Sequence, residues 1–342
     1  MGFDGPKAVK GAAASDPVFD AVMARPDRAS RPLAGFTRAD QVEVLPVDWL
    51  VEKWLARDTL AAWIGPSGSC KTFAVVDVAC CTATETPFHG CKVKRGAVFM
   101  LAGEGRSGLR KRIEGWSAHH GVSIDGAPLY LGQLPRLDIH ATGKIITEIE
   151  QMADEMFFSE GSPEPALIVI DTVARAMVGD ENSAEAMGAL VEAADWLRER
   201  WPGCTVLLVH HTGHANGGRA RGSSALYAAL DSEALMKPLR CGDVQLHATK
   251  CKDWGTPMPL QFRRHEVSIE VPGTGQATST LVLVNTQMTQ GIDRSAEVRE
   301  LQAAGKSIRT IATETGLSKS MVERLLKDTK ASKPVWLAEF DE

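Results

Sequence analysis

The chain has 342 residues and carries 38 Lys and Arg against 43 Asp and Glu, a net charge of −5. That length suits one large α/β domain with a smaller one beside it, and the acidic balance excludes polyanion binding over the whole surface, so any nucleic-acid site has to be a local patch. Seven cysteines without Cys-x-x-Cys spacing predict free thiols in a reducing cytoplasm, not a disulfide framework or a zinc site, and no signal peptide or run of eighteen apolar residues points to export or a membrane span.

Residues 1–44 read as a flexible arm, since the first forty are rich in Ala, Gly, Pro and charge. From Leu45 to Leu55, Trp49, Leu50, Val51, Trp54 and Leu55 crowd together, which predicts a lead-in helix packed on a sheet. Thr59 to Ile64 then reads as a short buried strand, and Ala74 to Ala83 as a buried helix containing Cys80 and Cys81. Between them runs Gly65-Pro66-Ser67-Gly68-Ser69-Cys70-Lys71-Thr72. Strand, glycine loop and helix are the context of a phosphate-binding loop. Its backbone N–H groups face anionic oxygens, and the helix start adds positive potential. Lys71 then reaches the β- and γ-phosphates, and Thr72 offers its hydroxyl to Mg²⁺. Cys70 stands where glycine is usual. If that position needs φ > 0, its Cβ costs about 1–2 kcal/mol.

Ala97 to Ala102 is apolar throughout and predicts a central parallel strand that ends in Gly103-Glu104-Gly105. Glu104 is therefore placed at the carboxyl end of a strand, where open parallel α/β sheets bind ligands. Ser107 to His120 reads as a helix, Leu129 to Leu131 as a strand and Thr142 to Phe158 as a helix. Ala166 to Thr172 is a buried strand closed by Asp171, which suits a second contact to Mg²⁺, direct or through water. Asn182 and Ser183 lie in a loop and N-cap before a helix with Met187, Leu190, Val191, Ala194 and Leu197 on its apolar face. Cys204 to Gly213 is another buried strand, ending His210-His211-Thr212-Gly213. Neighbouring residues of a strand face opposite ways, so the two imidazoles do not readily share one metal. His211 reads as a polar sensor of the γ-phosphate and His210 as structural.

His214 to Ser224 carries three glycines together with Arg219 and Arg221. It is either a mobile loop that grips a nucleic-acid backbone or a solvated surface loop. Ala234 to Met236, Val244 to Thr249, Pro259 to Phe262, Val267 to Val271 and Thr280 to Val284 predict a sheet extension of hairpins. Lys250 and Lys252 close one of these strands before the turn at Asp253-Trp254-Gly255. Residues 294–330 read as a small unit of short helices about the turn Gly316-Leu317-Ser318, the helix-turn-helix arrangement. Arg294 to Lys333 holds nine Lys and Arg against five Asp and Glu. Lys319, Ser320 and Arg324 are the candidates for a DNA groove; a helical bundle that binds protein is the other reading. Residues 331–342 form an acidic tail with Trp336, Leu337 and Phe340.

The order of these motifs resembles the RepA-like branch of the RecA/DnaB-type AAA-family ATPases over roughly residues 45–285, with His210-His211-Thr212-Gly213 and Arg221-Gly222-Ser223-Ser224 the most particular signs. The resemblance implies a RecA-like P-loop core over 45–290 with a mainly parallel central sheet and a β-hairpin extension, joined to the small all-α helix-turn-helix domain. It implies a ring, a hexamer for preference, with ATP and Mg²⁺ between subunits. Residues Gly65 to Thr72 would bind the triphosphate, Glu104 would activate water, and Asp171 would hold Mg²⁺ or its water. His211 would couple γ-phosphate loss to Arg219 and Arg221 on single-stranded DNA. Asp231 stands where RepA-type helicases carry a trans-acting arginine, which leaves Lys250 and Lys252 as candidates for that role. The expected function is a DNA motor of the replicative-helicase type; the alternatives are an ATP-switched DNA-binding regulator or loader, and an assembly protein with a decayed loop.

Overall fold

The computed structural model describes residues 36–103, 105–156, 165–213, 218–239, 242–271, 274, 276–286, 295–315, 319, 322–323 and 326. The chain divides into two compact units, Met1–Asn285 and Thr286–Glu342.

The first unit is built on a nine-stranded sheet. Its strands are β3 (Leu60–Gly65), β4 (Ala97–Ala102), β5 (Leu129–Gln133), β6 (Pro165–Asp171), β7 (Thr205–His211), β8 (Ser232–Pro238), β9 (Val244–Cys251), β10 (Leu260–Val271) and β11 (Gln276–Asn285), in the order β11-β10-β9-β8-β3-β7-β6-β4-β5. From β8 to β5 every pairing is parallel; β9, β10 and β11 are added antiparallel. The continuous apolar runs of β3, β4 and β6 are buried at every residue, as expected of parallel strands covered on both faces.

One face carries helices α1 (Lys71–Thr84) and α2 (Arg106–His120); the other carries α3 (Ile139–Met156) and α5 (Ala184–Arg200), with the single turns α4 (Val173–Ala176) and α6 (Ala225–Ala229) at strand ends. The alternation of side chains along the strands splits the core accordingly. Trp63, Met100, Val169 and Val209 pack on the α1 side, whereas Ile64, Phe99, Ile170 and Leu208 pack on the side of α3 and α5. Helix α1 is buried nearly all round, so it lies inside the molecule, with the β10–β11 hairpin and α2 over it. The expected α/β RecA-like P-loop core with a hairpin extension is what the chain forms.

Two local expectations change. Leu45 to Leu55 is not a helix: β1 (Trp49–Val51) and β2 (Leu55–Ala56) make a two-stranded ribbon. The crowded apolar residues do enter the core, but β-branched and aromatic side chains on so short a stretch fit an extended ribbon as well as a helix. Two expected strands near residue 262 and residue 269 are one long strand, β10, that runs on past β9 to pair with β11 alone. The six cysteines among the described residues are free thiols, with Cys80 and Cys81 buried as small apolar groups.

In the second unit, α7 (Ser295–Ala303) and α8 (Ile308–Thr315) share a small core of Val298, Ile311 and Val322. Lys319 is helical and exposed, while Ser320, Arg324, the arm over 1–35 and the tail over 331–342 lie outside the described residues. Among the described residues no helix is long and apolar enough to cross a membrane.

Candidate functional site

The parallel strands of the first unit end on one side of the sheet, and the sequence-predicted groups of β3, β6 and β7 meet there. The turn after β3 runs through Gly68, with φ of +74°, and Cys70, with φ of +67°, before α1 begins at Lys71. Cys70 thus holds the left-handed conformation that its position suggested. Gly65 has no room for a side chain, since a Cβ there would sit 2.5 Å from the Met236 carbonyl oxygen. The buried Ser69 hydroxyl fills the same space and has no hydrogen-bond partner among the described residues.

Lys71 is 5% exposed. Its Nζ donates to the carbonyl oxygens of Gly65 at 2.8 Å and Pro66 at 2.9 Å, and lies 3.3 Å from His211 Nδ1. Burial pulls the ammonium down to about 8, against the negative charge of Asp171, which raises it. Burial lowers the His211 imidazole too, and the charges of Lys71 and Arg221 push the same way. A neutral His211 that accepts from Lys71 agrees with the lowered imidazole. Burial raises the Cys70 thiol, although Arg264, Lys71 and Arg112 oppose it, so Cys70 is held as a neutral thiol.

Thr72 Oγ1 donates to Asp171 Oδ2 at 2.8 Å. This hydroxyl and carboxylate come from elements 99 residues apart, brought together because β6 ends two strands from β3. They are hard oxygen donors at one point, the kind Mg²⁺ uses when phosphate and water complete its shell. Among the described residues, no group of three His, Cys, Asp or Glu side chains is placed to hold a metal alone. The ion therefore fits this site as a partner of the triphosphate. With a triphosphate bound, Lys71 would exchange its carbonyl contacts for phosphate oxygens, Thr72 and Asp171 would hold the cation, and the loop amides would offer N–H donors to the charge.

His210 faces the opposite side from His211, as strand alternation requires. It is fully buried, and its Nε2 lies 2.8 Å from the Arg221 carbonyl oxygen. The basic loop, described from Gly218 onward, is anchored rather than free. Arg221 N–H donates to the His211 carbonyl at 2.8 Å, Gly213 N–H donates to Arg219 O at 3.3 Å, and Thr212 bridges Ala220. The Arg221 guanidinium is paired with Glu181 at 2.6 Å, and Ser223 N–H donates to Glu181 O at 2.9 Å. Gly222, at φ of +89°, passes so near that a Cβ would lie 2.4 Å from Glu181 O. Glu181 escaped the sequence reading, which took its loop as a helix N-cap; Ser183 does cap α5, accepting from Ala186 N–H. An acid before that cap was the one visible signal.

Other candidates lie elsewhere. Lys250 and Lys252 are at the far end of β9, which runs against β8 and so away from the phosphate loop of the same chain. Lys250 Nζ donates to the Tyr227 carbonyl at 2.7 Å and sits 4.9 Å from its ring centroid. Lys252 pairs with Asp231 at 3.4 Å. Asp231 Oδ2 accepts from Leu60 N–H at 3.0 Å, so this carboxylate helps hold the start of β3. Glu104 lies outside the described residues.

A parallel sheet with a phosphate loop, a buried lysine and a paired hydroxyl and carboxylate at its carboxyl edge defines a P-loop ATPase. The chain matches the AAA_25 family, described as an AAA domain, over residues 26–217, more than half of its length, and belongs to that family. No curated protein matches the chain.

Proposed function

We propose that this ATPase is a ring-forming motor, hexameric for preference, that moves along single-stranded DNA in the manner of RepA-type replicative helicases. The observation that supports this best is the continuous bonding from Lys71 through His211 to Arg221. It gives the triphosphate site a direct hold on the arginine loop, as a motor needs if phosphate loss is to move a DNA contact. In this reading ATP and Mg²⁺ occupy Gly65 to Thr72 with Asp171, Glu104 activates water, and His211 senses the γ-phosphate. Arg219 and Arg221 follow the strand in the pore. Lys250 or Lys252 meets the developing charge in the neighbouring subunit; both point away from their own loop, as a trans role requires. Lysine lacks the bidentate fork of arginine, so this activation is weaker than an arginine would supply. Lys319, Ser320 and Arg324 present a helix-turn-helix face to duplex DNA.

ATP turnover with and without single-stranded DNA, read beside particle mass with an ATP analogue, tests the proposal. Stimulation by DNA and a ring-sized particle are expected, with both turnover and binding lost in Lys71→Ala. A monomer whose turnover ignores DNA would sink it. The second reading, an ATP-switched DNA-binding regulator or loader, is favoured by Cys70 in the loop and by Asp231 in place of an arginine. Site-specific duplex binding lost in Arg324→Ala, with negligible turnover, would select it.

A further inference from the structure

We propose that Arg175 is a positioning residue for ATP hydrolysis, acting by clamping the carboxyl end of β4 to that of β6; this rests on the ATPase reading. Arg175 follows Asp171 by four residues, on the single turn α4. Its backbone is firmly set. Val173 and Ala176 on either side are completely buried, and Arg175 N–H and Ala176 N–H both donate to Thr172 O, at 2.9 and 3.0 Å. The side chain is exposed and is directed across the end of β4. There its Nη1 donates to the Gly103 carbonyl oxygen at 3.0 Å. Gly103 N–H donates in turn to Asp171 O at 2.8 Å.

The peptide units on both sides of Gly103 are therefore held, one by the strand that carries Asp171 and one by the arginine that follows it. A side chain at Gly103 would compete with the arginine for its place: a Cβ there would lie 2.1 Å from Arg175 Cδ and 3.0 Å from Nε. Gly103 is the residue before Glu104, so this clamp fixes where the chain leaves β4 toward the proposed base. It also ties that point to the carboxylate bonded to Thr72. Misplacing a reacting group by about 1 Å costs on the order of 10²-fold in rate. Among the described residues no carboxylate pairs with Arg175, in contrast to Arg221 on Glu181. Its bond is to a carbonyl, which needs direction more than charge, and the planar guanidinium supplies a rigid donor where lysine does not.

The test compares Arg175→Ala, Arg175→Lys, Gly103→Ala and the Arg175→Ala/Gly103→Ala double variant in the full chain. Turnover and affinity for a non-hydrolysable ATP analogue are read separately. A Cβ at Gly103 pushes the arginine aside, so both single changes break the same clamp and the double is expected to be no slower than either. Arg175→Ala should lose at least tenfold in kcat, hold analogue affinity within threefold, regain turnover with added guanidinium ion and exchange the Gly103 amide faster. Arg175→Lys should restore little. Turnover within twofold of the unaltered chain, losses that multiply in the double variant, or a parallel loss of analogue affinity would each overturn the role. If the unaltered chain shows no Lys71-dependent turnover, the ATPase reading fails instead; the amide exchange of Gly103 still decides whether the clamp exists.

Discussion

If Lys71 holds the triphosphate as proposed, a single buried charge ties nucleotide binding to pH. Its ammonium is held near 8 because it is shielded from water, and a triphosphate beside it stabilises the charged form. The bound value therefore lies above the free one, and binding above pH 8 takes up a proton. Affinity for ATP should be level below pH 8 and fall by up to about tenfold per unit above it. Calorimetry in buffers of different ionisation enthalpy checks this, with proton uptake at pH 9 and little at pH 7. The neighbouring Cys70 lends itself to a stability measurement. Its left-handed φ of +67° costs about 1–2 kcal/mol for a residue with a Cβ, and glycine gives back about 0.5–1 kcal/mol in chain entropy. Cys70→Gly should therefore raise the melting temperature modestly and keep nucleotide binding; a lower melting temperature would show that the thiol packs better than its backbone suffers. The sequence flagged this position, because Cys70 stands before Lys71 where glycine is usual; the left-handed turn itself is seen in the structure.

At the scale of elements, Glu181 and the loop around Arg221 form a latch. The ion pair is partly exposed, at 37% for the arginine and 22% for the acid, so it is worth about 0.2–1 kcal/mol. If Arg221 contacts DNA, Glu181→Gln releases it and single-stranded DNA affinity should rise up to about fivefold, measured by fluorescence anisotropy at fixed salt. An unchanged affinity would place Arg221 away from the strand. The sequence showed the glycines and arginines of this loop but not its anchor, because Glu181 and Arg221 lie 40 residues apart on different strand ends. The ribbon β1–β2 and the fused β10 have the same cause: apolar pattern says that a stretch is buried, and only its partners decide whether it is coiled, extended or continuous.

For the whole molecule, acid sensitivity follows from one cluster that is buried at Asp77 and opens toward the half-buried His120 and the exposed His119. Asp77 on α1 is 4% exposed and lies 2.6 Å from His89 Nε2, with Trp116 Nε1 donating to it at 2.8 Å. Burial alone would raise this carboxyl, but His89 and the bond from Trp116 hold it below the ordinary range. Beside it, burial lowers His119 and His120, with His265 and His89 adding to the effect on the former and His119 and His89 on the latter. A histidine lowered on folding binds its proton better when unfolded. Its stability is thus complete above the unfolded value of about 6.5 and lost as pH falls below that; Asp77 adds a second loss below about 4. The melting temperature should drop from pH 7 to pH 5.5. His120→Phe, which keeps the ring stacked on Trp116 at 4.6 Å, should flatten that slope; an unchanged slope would move the cause elsewhere.

The amino-acid order alone determined the phosphate loop, the buried parallel strands and the polar residues that close them, because these follow from local spacing and from runs of apolar side chains. Folding decided which of those closing residues meet. Thr72 on Asp171, Lys71 on His211, Arg221 on Glu181 and Arg175 on Gly103 are contacts between strand ends distant in sequence. They are set by the strand order of the sheet, which no local pattern encodes.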